Sequence, residues 1–313
     1  MTTTPARESW IEIVVRTPPL LSDPLANFLD ELGTRGVFEE ESIQGPFNDF
    51  PEDPPKTVTI KAYLPDTGEV AKKLSSLETY TASLKELFPE LEAPSYSTST
   101  ISDPDWAERW KKYFKPLRIS KNIVIKPTWE RYRSEGGEIV IDIDPGMAFG
   151  TGQHASTRLS VNAIEDIILK QTPPEGWNVL DIGTGTGILA MCCAMLGADL
   201  VTAIDLDPLA VEIAAVNIAI NDLHDRIRLV NRDASDMEGT FNLIVANLTA
   251  PALMNLRDRL VTMMAPGGYL VASGIIDTYG SRLEQIFEDD GVTVTDRRDE
   301  KEWLCLTFKK RDP

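Results

Sequence analysis

The chain has 313 residues, 42% of them hydrophobic, and a formal net charge of −18; its length is a prior for about two domains, each with a real core. No run approaches the roughly 18 apolar residues needed to span a bilayer, and the opening Met-Thr-Thr-Thr-Pro-Ala-Arg-Glu lacks the apolar core of a signal peptide, so the cytoplasm is the expected compartment. The acidic balance argues against tight nucleic-acid binding, which needs clustered Lys and Arg at phosphates, and suits a basic protein substrate or simple solubility.

Residues 1–101 are expected to form a small domain. Trp10 to Arg16 alternates like a strand, Asp23 to Leu32 follows Ser22 as a helix, and Val37 to Gln44 and Thr57 to Leu64 read as strands. Glu69 to Phe88 reads as a second helix and Tyr96 to Ile101 as a last strand. The order βαββαβ is ferredoxin-like, and Pro-rich stretches at Phe47 to Pro55 and Pro89 to Pro94 mark loops. Residues 102–116 read as a helical linker. Trp106, Trp110 and Tyr113 stand at i, i+4 and i+7 beside several lysines. An aromatic packing face is a simpler account of them than an RNA surface.

Residues 117–313 are expected to form the larger domain. Ile123 to Lys126 and Glu138 to Asp142 resemble a hairpin, leading into Asp144-Pro-Gly-Met-Ala-Phe-Gly-Thr-Gly-Gln-His-Ala-Ser-Thr157 and a helix from about Ala155 to Lys170. Three glycines, Phe149, His154 and a closing hydroxyl are unusual for a structural loop. His154 is a candidate general base, since histidine as a residue type titrates near neutral pH, but a loop histidine held by hydrogen bonds is the favoured account; His224 reads as surface.

Val179 to Ala190, Val-Leu-Asp-Ile-Gly-Thr-Gly-Thr-Gly-Ile-Leu-Ala, is a buried strand, a glycine turn and the start of a helix continuing to Leu196. Gly183 and Gly185 let a ligand approach bare backbone, and the helix N-terminus offers unpaired N–H groups. Ile188 stands where a dinucleotide fingerprint needs its third glycine, so a methionine carboxylate is a better guest than pyrophosphate. A second apolar run, Leu200 to Ile204, ends in Asp205, placed to accept both hydroxyls of a ribose. Together these features point to S-adenosylmethionine.

Asp207 and Pro208 then read as cap and first turn of a helix whose buried face is Val211, Ala214, Ala215 and Ile218. Ile227 to Val230 is a strand followed by Asp233, either an adenine contact or a solvated loop carboxylate. Leu243 to Ala246 delivers Asn247 to the sheet edge, as a substrate contact, a helix cap, or both. A helix from Thr249 to Met264, an Ala265-Pro-Gly-Gly turn, a strand from Gly268 to Ser273, a helix from Tyr279 to Asp289 and an antiparallel pair, Val292 to Glu300 with Trp303 to Phe308, complete the domain. Cys192, Cys193 and Cys305 lie in apolar settings without metal-ligand spacing and read as buried thiols; no metal is expected.

The Asp144 to Thr157 segment, Asp-Ile-Gly-x-Gly-x-Gly, Ala-Asn247-Leu and Glu302-Trp303, behind a small N-terminal domain and a Trp-containing linker, resemble the bacterial ribosomal protein L11 methyltransferases. The resemblance covers most of the chain and is most specific from the linker onward. It implies a doubly wound, seven-stranded, Rossmann-like α/β methyltransferase domain after a ferredoxin-like α+β domain that captures the substrate protein. It implies transfer of methyl groups from S-adenosylmethionine, leaving S-adenosylhomocysteine, to lysine or N-terminal amines of the stalk-base protein of the large ribosomal subunit. Thr157, Gly183, Asp205 and Asn247 match the family's cofactor contacts. Ala155 and Ser156 depart from a usual proline and threonine, which bears on loop stiffness. The chain is expected to be a monomer without direct nucleic-acid binding. A methyltransferase of another protein, RNA or a small molecule, or a non-catalytic nucleotide-binding protein, are the alternatives that fold alone leaves open.

Overall fold

The computed structural model describes residues 10–40, 57–66, 68–101, 115–134, 136–144, 152, 154–171, 173, 176–288 and 291–311. The chain divides into two compact units, 1–113 and 114–313. Most of the expected linker, including Trp106, Trp110 and Tyr113, lies outside the described residues.

The first unit contains β1 (Trp10–Thr17), α1 (Ser22–Glu31), β2 (Arg35–Glu40), β3 (Val58–Pro65), α2 (Val70–Leu87) and β4 (Ser95–Ile101). The strands form one antiparallel sheet in the order β2-β3-β1-β4, the ferredoxin-like arrangement. Alternation sends Ile13, Val15, Ile60, Ala62 and Leu64 to one face, where they meet Leu25 and Leu29 of α1 and Leu77 and Leu84 of α2.

The second unit begins with a three-stranded sheet, β5 (Leu117–Arg118), β6 (Ile123–Pro127) and β7 (Ile139–Ile143). Here the expected hairpin is corrected, because β6 and β7 pair in parallel. After β6 the chain turns, Glu130 N–H donating to the Pro127 carbonyl at 3.1 Å, and returns so that Ile139 N–H meets the Asn122 carbonyl at 2.7 Å. Residues 128–138 thus serve as a return crossover, which a parallel pair requires.

Then follow α3 (Ala155–Lys170), β8 (Asn178–Ile182), α4 (Ile188–Leu196), β9 (Leu200–Asp205), α5 (Pro208–Ile220), β10 (Ile227–Asn231), β11 (Phe241–Asn247), α6 (Ala250–Met263), β12 (Met264–Ile276), α7 (Gly280–Glu288), β13 (Val292–Glu300) and β14 (Trp303–Lys310). The seven strands from β8 onward lie in the order β10-β9-β8-β11-β12-β14-β13. All neighbours run parallel except β14, which is antiparallel to both β12 and β13. Along β8, Val179 joins the core with α3, α4 and α5, whereas Leu180 and Ile182 join the core with α6 and α7. β11 alternates in the same way, so its apolar run is buried on both faces, as a doubly wound sheet demands. The expected Ala265–Gly268 turn is instead a register irregularity inside β12.

Topology positions the site. From β8 the chain winds outward through β9 and β10, then returns to place β11 on the other side of β8. The C-terminal ends of β8, β9 and β11 therefore border the crevice where order reverses, the place where open α/β sheets bind ligands.

Candidate active site

At the end of β8 the backbone makes a turn that only glycine adopts without strain. Gly183, Gly185 and Gly187 have φ of 70°, 55° and 83°. A Cβ on Gly183 would stand 2.8 Å from Leu248 Cδ2, so the turn is also closed to side chains by packing. Gly183 and Thr184 donate their N–H groups to the Ile204 carbonyl at 2.9 and 3.0 Å. Gly187 is the N-cap position of α4, whose first N–H groups face the same edge.

Asp205, half-buried at the end of β9, is held by two backbone donors: Gly185 N–H at 2.9 Å to Oδ2 and Asp207 N–H at 3.0 Å to Oδ1. Among the described residues each carboxylate oxygen accepts one backbone bond, so the group is oriented without being saturated. Asp207 caps α5 through Leu209 N–H at 2.9 Å, with Pro208 in the first turn, as expected.

Asp181, inside β8 and fully buried, stands out in the sequence only as part of the apolar run. Its Oδ2 accepts from Thr184 Oγ1 at 2.7 Å and Ala190 N–H at 3.1 Å, while Oδ1 has no partner among the described residues. Burial pushes this carboxyl up to about 7, opposed by those hydrogen bonds and aided by the nearby charge of Asp205. A native pKa above the unfolded one means that the stabilising contribution is full below the unfolded carboxylate range and is lost as pH rises through about 7. Asp181→Asn is therefore expected to gain melting temperature relative to wild type as pH is raised from about 6 to 8. Parallel melting curves for the two proteins across that range would contradict it.

Thr157 sits in the first turn of α3, 1% exposed, and its hydroxyl has no partner among the described residues. A buried hydroxyl left unpaired is costly, which makes it the clearest open donor at this edge. His154 is the N-cap of α3: its Nδ1 lies 3.2 Å from Ser156 N and 2.6 Å from Ser156 Oγ, and its ring meets Trp303 edge-on with centroids 4.6 Å apart. The histidine is thus held by hydrogen bonds, and no general-base role is built on it. Arg158 pairs with Glu300, which holds that carboxylate below its ordinary range. Of the loop leading to α3, residues 145–151 and 153, Phe149 among them, lie outside the described residues.

Asn247 closes β11 opposite Ser273 of β12. The helix-cap alternative fails, because the N-cap of α6 is Thr249. The Asn247 side chain lies against Gly274 (φ 77°), where a Cβ would be 2.8 Å from Asn247 Oδ1. Ser273 Oγ in turn donates to the Ser156 carbonyl at 3.0 Å, tying this edge to the turn that carries Thr157.

Asp233 caps a short 3-10 turn, accepting from Ser235 N–H at 2.8 Å, a bond that lowers its pKa. The three cysteines are free and buried, with Cys305 pushed up to about 12 by desolvation. His224 is exposed. The expected buried face of α5 is corrected: Ala210, Ala214, Asn217 and Ile218 are buried and Ala215 is exposed. A polar residue in the apolar stretch from Ile213 to Ile220, four before Asn221, is the signal by which Asn217 could be found.

The edge thus offers an oriented acceptor pair at Asp205, bare backbone at the glycine turn, an open hydroxyl at Thr157 and an amide at Asn247. The family model described as Ribosomal protein L11 methyltransferase (PrmA) matches residues 9–311. A protein named Ribosomal protein L11 methyltransferase from Geotalea uraniireducens is 38% identical over 308 residues, 96% of this chain and 98% of that protein. Another of that name from Pelotomaculum thermopropionicum is 39% identical over 312 residues, with the same coverage. The crystal structure of the ribosomal protein L11 methylase from Lactobacillus delbrueckii subsp. bulgaricus aligns with a TM-score of 0.59 at 30% identity, over 63% of this chain and 100% of that one.

Proposed function

The chain belongs to the ribosomal protein L11 methyltransferase family, and from that premise we propose how its site methylates amines of that protein. The enzyme is an S-adenosylmethionine-dependent protein methyltransferase acting on ribosomal protein L11. The finer assignment, lysine side-chain or N-terminal amines as acceptors, is what the resemblance to that family implies.

One observation carries the donor site: the carboxylate of Asp205 and the glycine turn are hydrogen-bonded to each other at 2.9 Å, at the point where strand order reverses. Asp205 would accept the ribose hydroxyls, and Gly183 and Gly185 would admit the amino-acid portion against bare backbone. The unpaired Thr157 hydroxyl and the N-terminus of α4 would meet the methionine carboxylate. The buried Thr157 hydroxyl, without a partner among the described residues, fits such a guest.

When bound, S-adenosylmethionine supplies a methyl group on a positively charged sulfur. The protein's task is to present a neutral amine in line with it and to keep the crevice dry. A lysine amine, which in water titrates at about 10.4, must lose a proton first; an α-amine, at about 7.7 to 8.0, is closer to neutral. Asn247 Oδ1, with nearby backbone carbonyls, accepts hydrogen bonds from the amine and aims its lone pair, the proton having passed to water before the amine enters the dry crevice.

Residues 1–101 would capture the substrate protein, 102–116 link, and 117–313 catalyse. No helix among the described residues is long and apolar enough to cross a membrane; a cytoplasmic, monomeric enzyme without nucleic-acid contacts is the reading that the net charge of −18 supports. The test is transfer of isotope-labelled methyl from S-adenosylmethionine by the purified chain to ribosomal protein L11 and, separately, to ribosomal RNA. Label is expected on protein amines by mass spectrometry. Label on RNA, with none on protein, would overturn the assignment.

A further inference from the structure

Asn217 is a polar residue with 0% exposure in the middle of the apolar helix α5. Its Oδ1 accepts from the backbone N–H of Asp144 at 2.8 Å, where the chain leaves β7. Its Nδ2 donates to the carbonyl of Thr186 at 3.0 Å, inside the glycine turn. One helical turn later Asn221 accepts from Asp142 N–H at 2.9 Å and donates to the Asp142 carbonyl at 2.7 Å. At i and i+4, the two amides stand along one helix face. They offer β7 the donors and acceptors that a neighbouring strand would, on the side away from β6.

Of the two, Asn217 bonds the glycine turn, while Asn221 Nδ2 additionally donates to Met191 Sδ of α4 at 3.4 Å and to the Asn217 carbonyl at 2.8 Å. Ala214, on the same face of α5, packs against the turn so closely that a Cβ on Gly187 would lie 3.4 Å from Ala214 Cβ. Asn217 therefore bridges two backbone segments far apart in sequence through one rigid, planar, buried amide. Neither segment's polar atom could be left unpaired there without cost.

We propose that Asn217 is a positioning residue of the donor site: it sets the spacing between the glycine turn, Gly183 to Gly187, and the chain departing from β7 at Asp144. The inference rests on the reading of that turn as the S-adenosylmethionine site. A misplacement of about 1 Å in such a wall is enough to change affinity or rate by about tenfold to a hundredfold.

The test uses Asn217→Asp and calorimetric binding of S-adenosylhomocysteine, which involves no methyl transfer. As a neutral acid, the new side chain can donate to the Thr186 carbonyl and accept from Asp144 N–H, restoring the bridge; as a carboxylate it faces that carbonyl without a proton. Relative to wild type at each pH, binding is expected to be near normal in mildly acidic buffer and about tenfold weaker in alkaline buffer. Asp142 with its partner Lys126, Asp144, Asp181 and Asp205 are common to both proteins, so the comparison cancels their titration. Asn221→Ser, which releases β7 and the contacts to Met191 Sδ and the Asn217 carbonyl but makes no bond to the glycine turn, is expected to lower the melting temperature and leave the dissociation constant unchanged.

Affinity of Asn217→Asp that follows wild type at every pH would overturn the proposal, as would equal weakening by Asn221→Ser. If Asn217→Asp does not melt cooperatively, the wild-type protein decides by NMR: exchange of the Asn217 side-chain amide protons slows on adding S-adenosylhomocysteine, and unchanged exchange refutes the bridge. Failure of wild type to bind the compound at all would instead remove the donor site itself, and this inference with it.

Discussion

Asn247→Ala is expected to lower kcat by about 10- to 100-fold, the equivalent of one hydrogen bond of about 1.5–3 kcal/mol to a group that becomes charged. The amine acquires its positive charge only as the new bond to carbon forms, so an acceptor at Asn247 Oδ1 is worth more in the transition state than in the ground state. The dissociation constant for S-adenosylhomocysteine should change less than kcat, since the interaction with the amine is absent from that complex. Single-turnover rates with ribosomal protein L11, paired with calorimetry, separate the two quantities. An unchanged methylation rate would remove Asn247 from the mechanism. Gly274 supports the geometry, because a side chain there would collide with Asn247 Oδ1 at 2.8 Å.

Asp205→Ala is expected to do the opposite. Its carboxylate would make two charge-assisted hydrogen bonds to ribose hydroxyls, and it already restrains the turn through Gly185 N–H and the start of α5 through Asp207 N–H. At about 1.5–3 kcal/mol for each hydrogen bond to a charged group, the KM for S-adenosylmethionine should rise by about a hundredfold or more. The loss falls on ground state and transition state alike, so kcat at saturating donor should change much less. Initial rates over a wide range of donor concentration would show this, and calorimetry would show it without catalysis. Full affinity in the variant would mean that the nucleoside lies elsewhere.

Asp205 and the glycine turn are legible in the sequence because each is a local pattern: an apolar run of strand length, a residue type at its end, and glycines where backbone must turn left-handed. The helix that begins at Ala155, the cap at Asp207 with Pro208, and the buried run of β11 ending at Asn247 follow from the same short-range rules. The resemblance to a methyltransferase family adds the reaction and the protein that receives the methyl group.

Where pattern is ambiguous, local rules fail in identifiable ways. Two short apolar segments separated by residues 128–138 suit a hairpin as well as a parallel pair, and the choice depends on how the intervening chain returns, which those segments do not encode. Along α5 nearly every position is apolar, so periodicity does not show which face turns inward; it places Ala215 in the core and overlooks Asn217. Asp181 looks like one more member of a strand, although burial on both faces of the sheet gives its carboxyl an altered proton affinity.

By itself, then, the order of residues determined the strands, turns and helices, the two-part architecture, and the glycine and carboxylate chemistry of one sheet edge, because these arise from neighbours in the chain. Only the tertiary structure decided which groups share that edge. Ser273 with Ser156, and Asn217 with both Asp144 and Thr186, are bonds between residues far apart in sequence. The Thr157 hydroxyl, buried without a partner among the described residues, is likewise visible only in the folded chain. Such pairings follow from strand order and helix packing, which minimise unsatisfied polar groups across the whole domain rather than within any one segment.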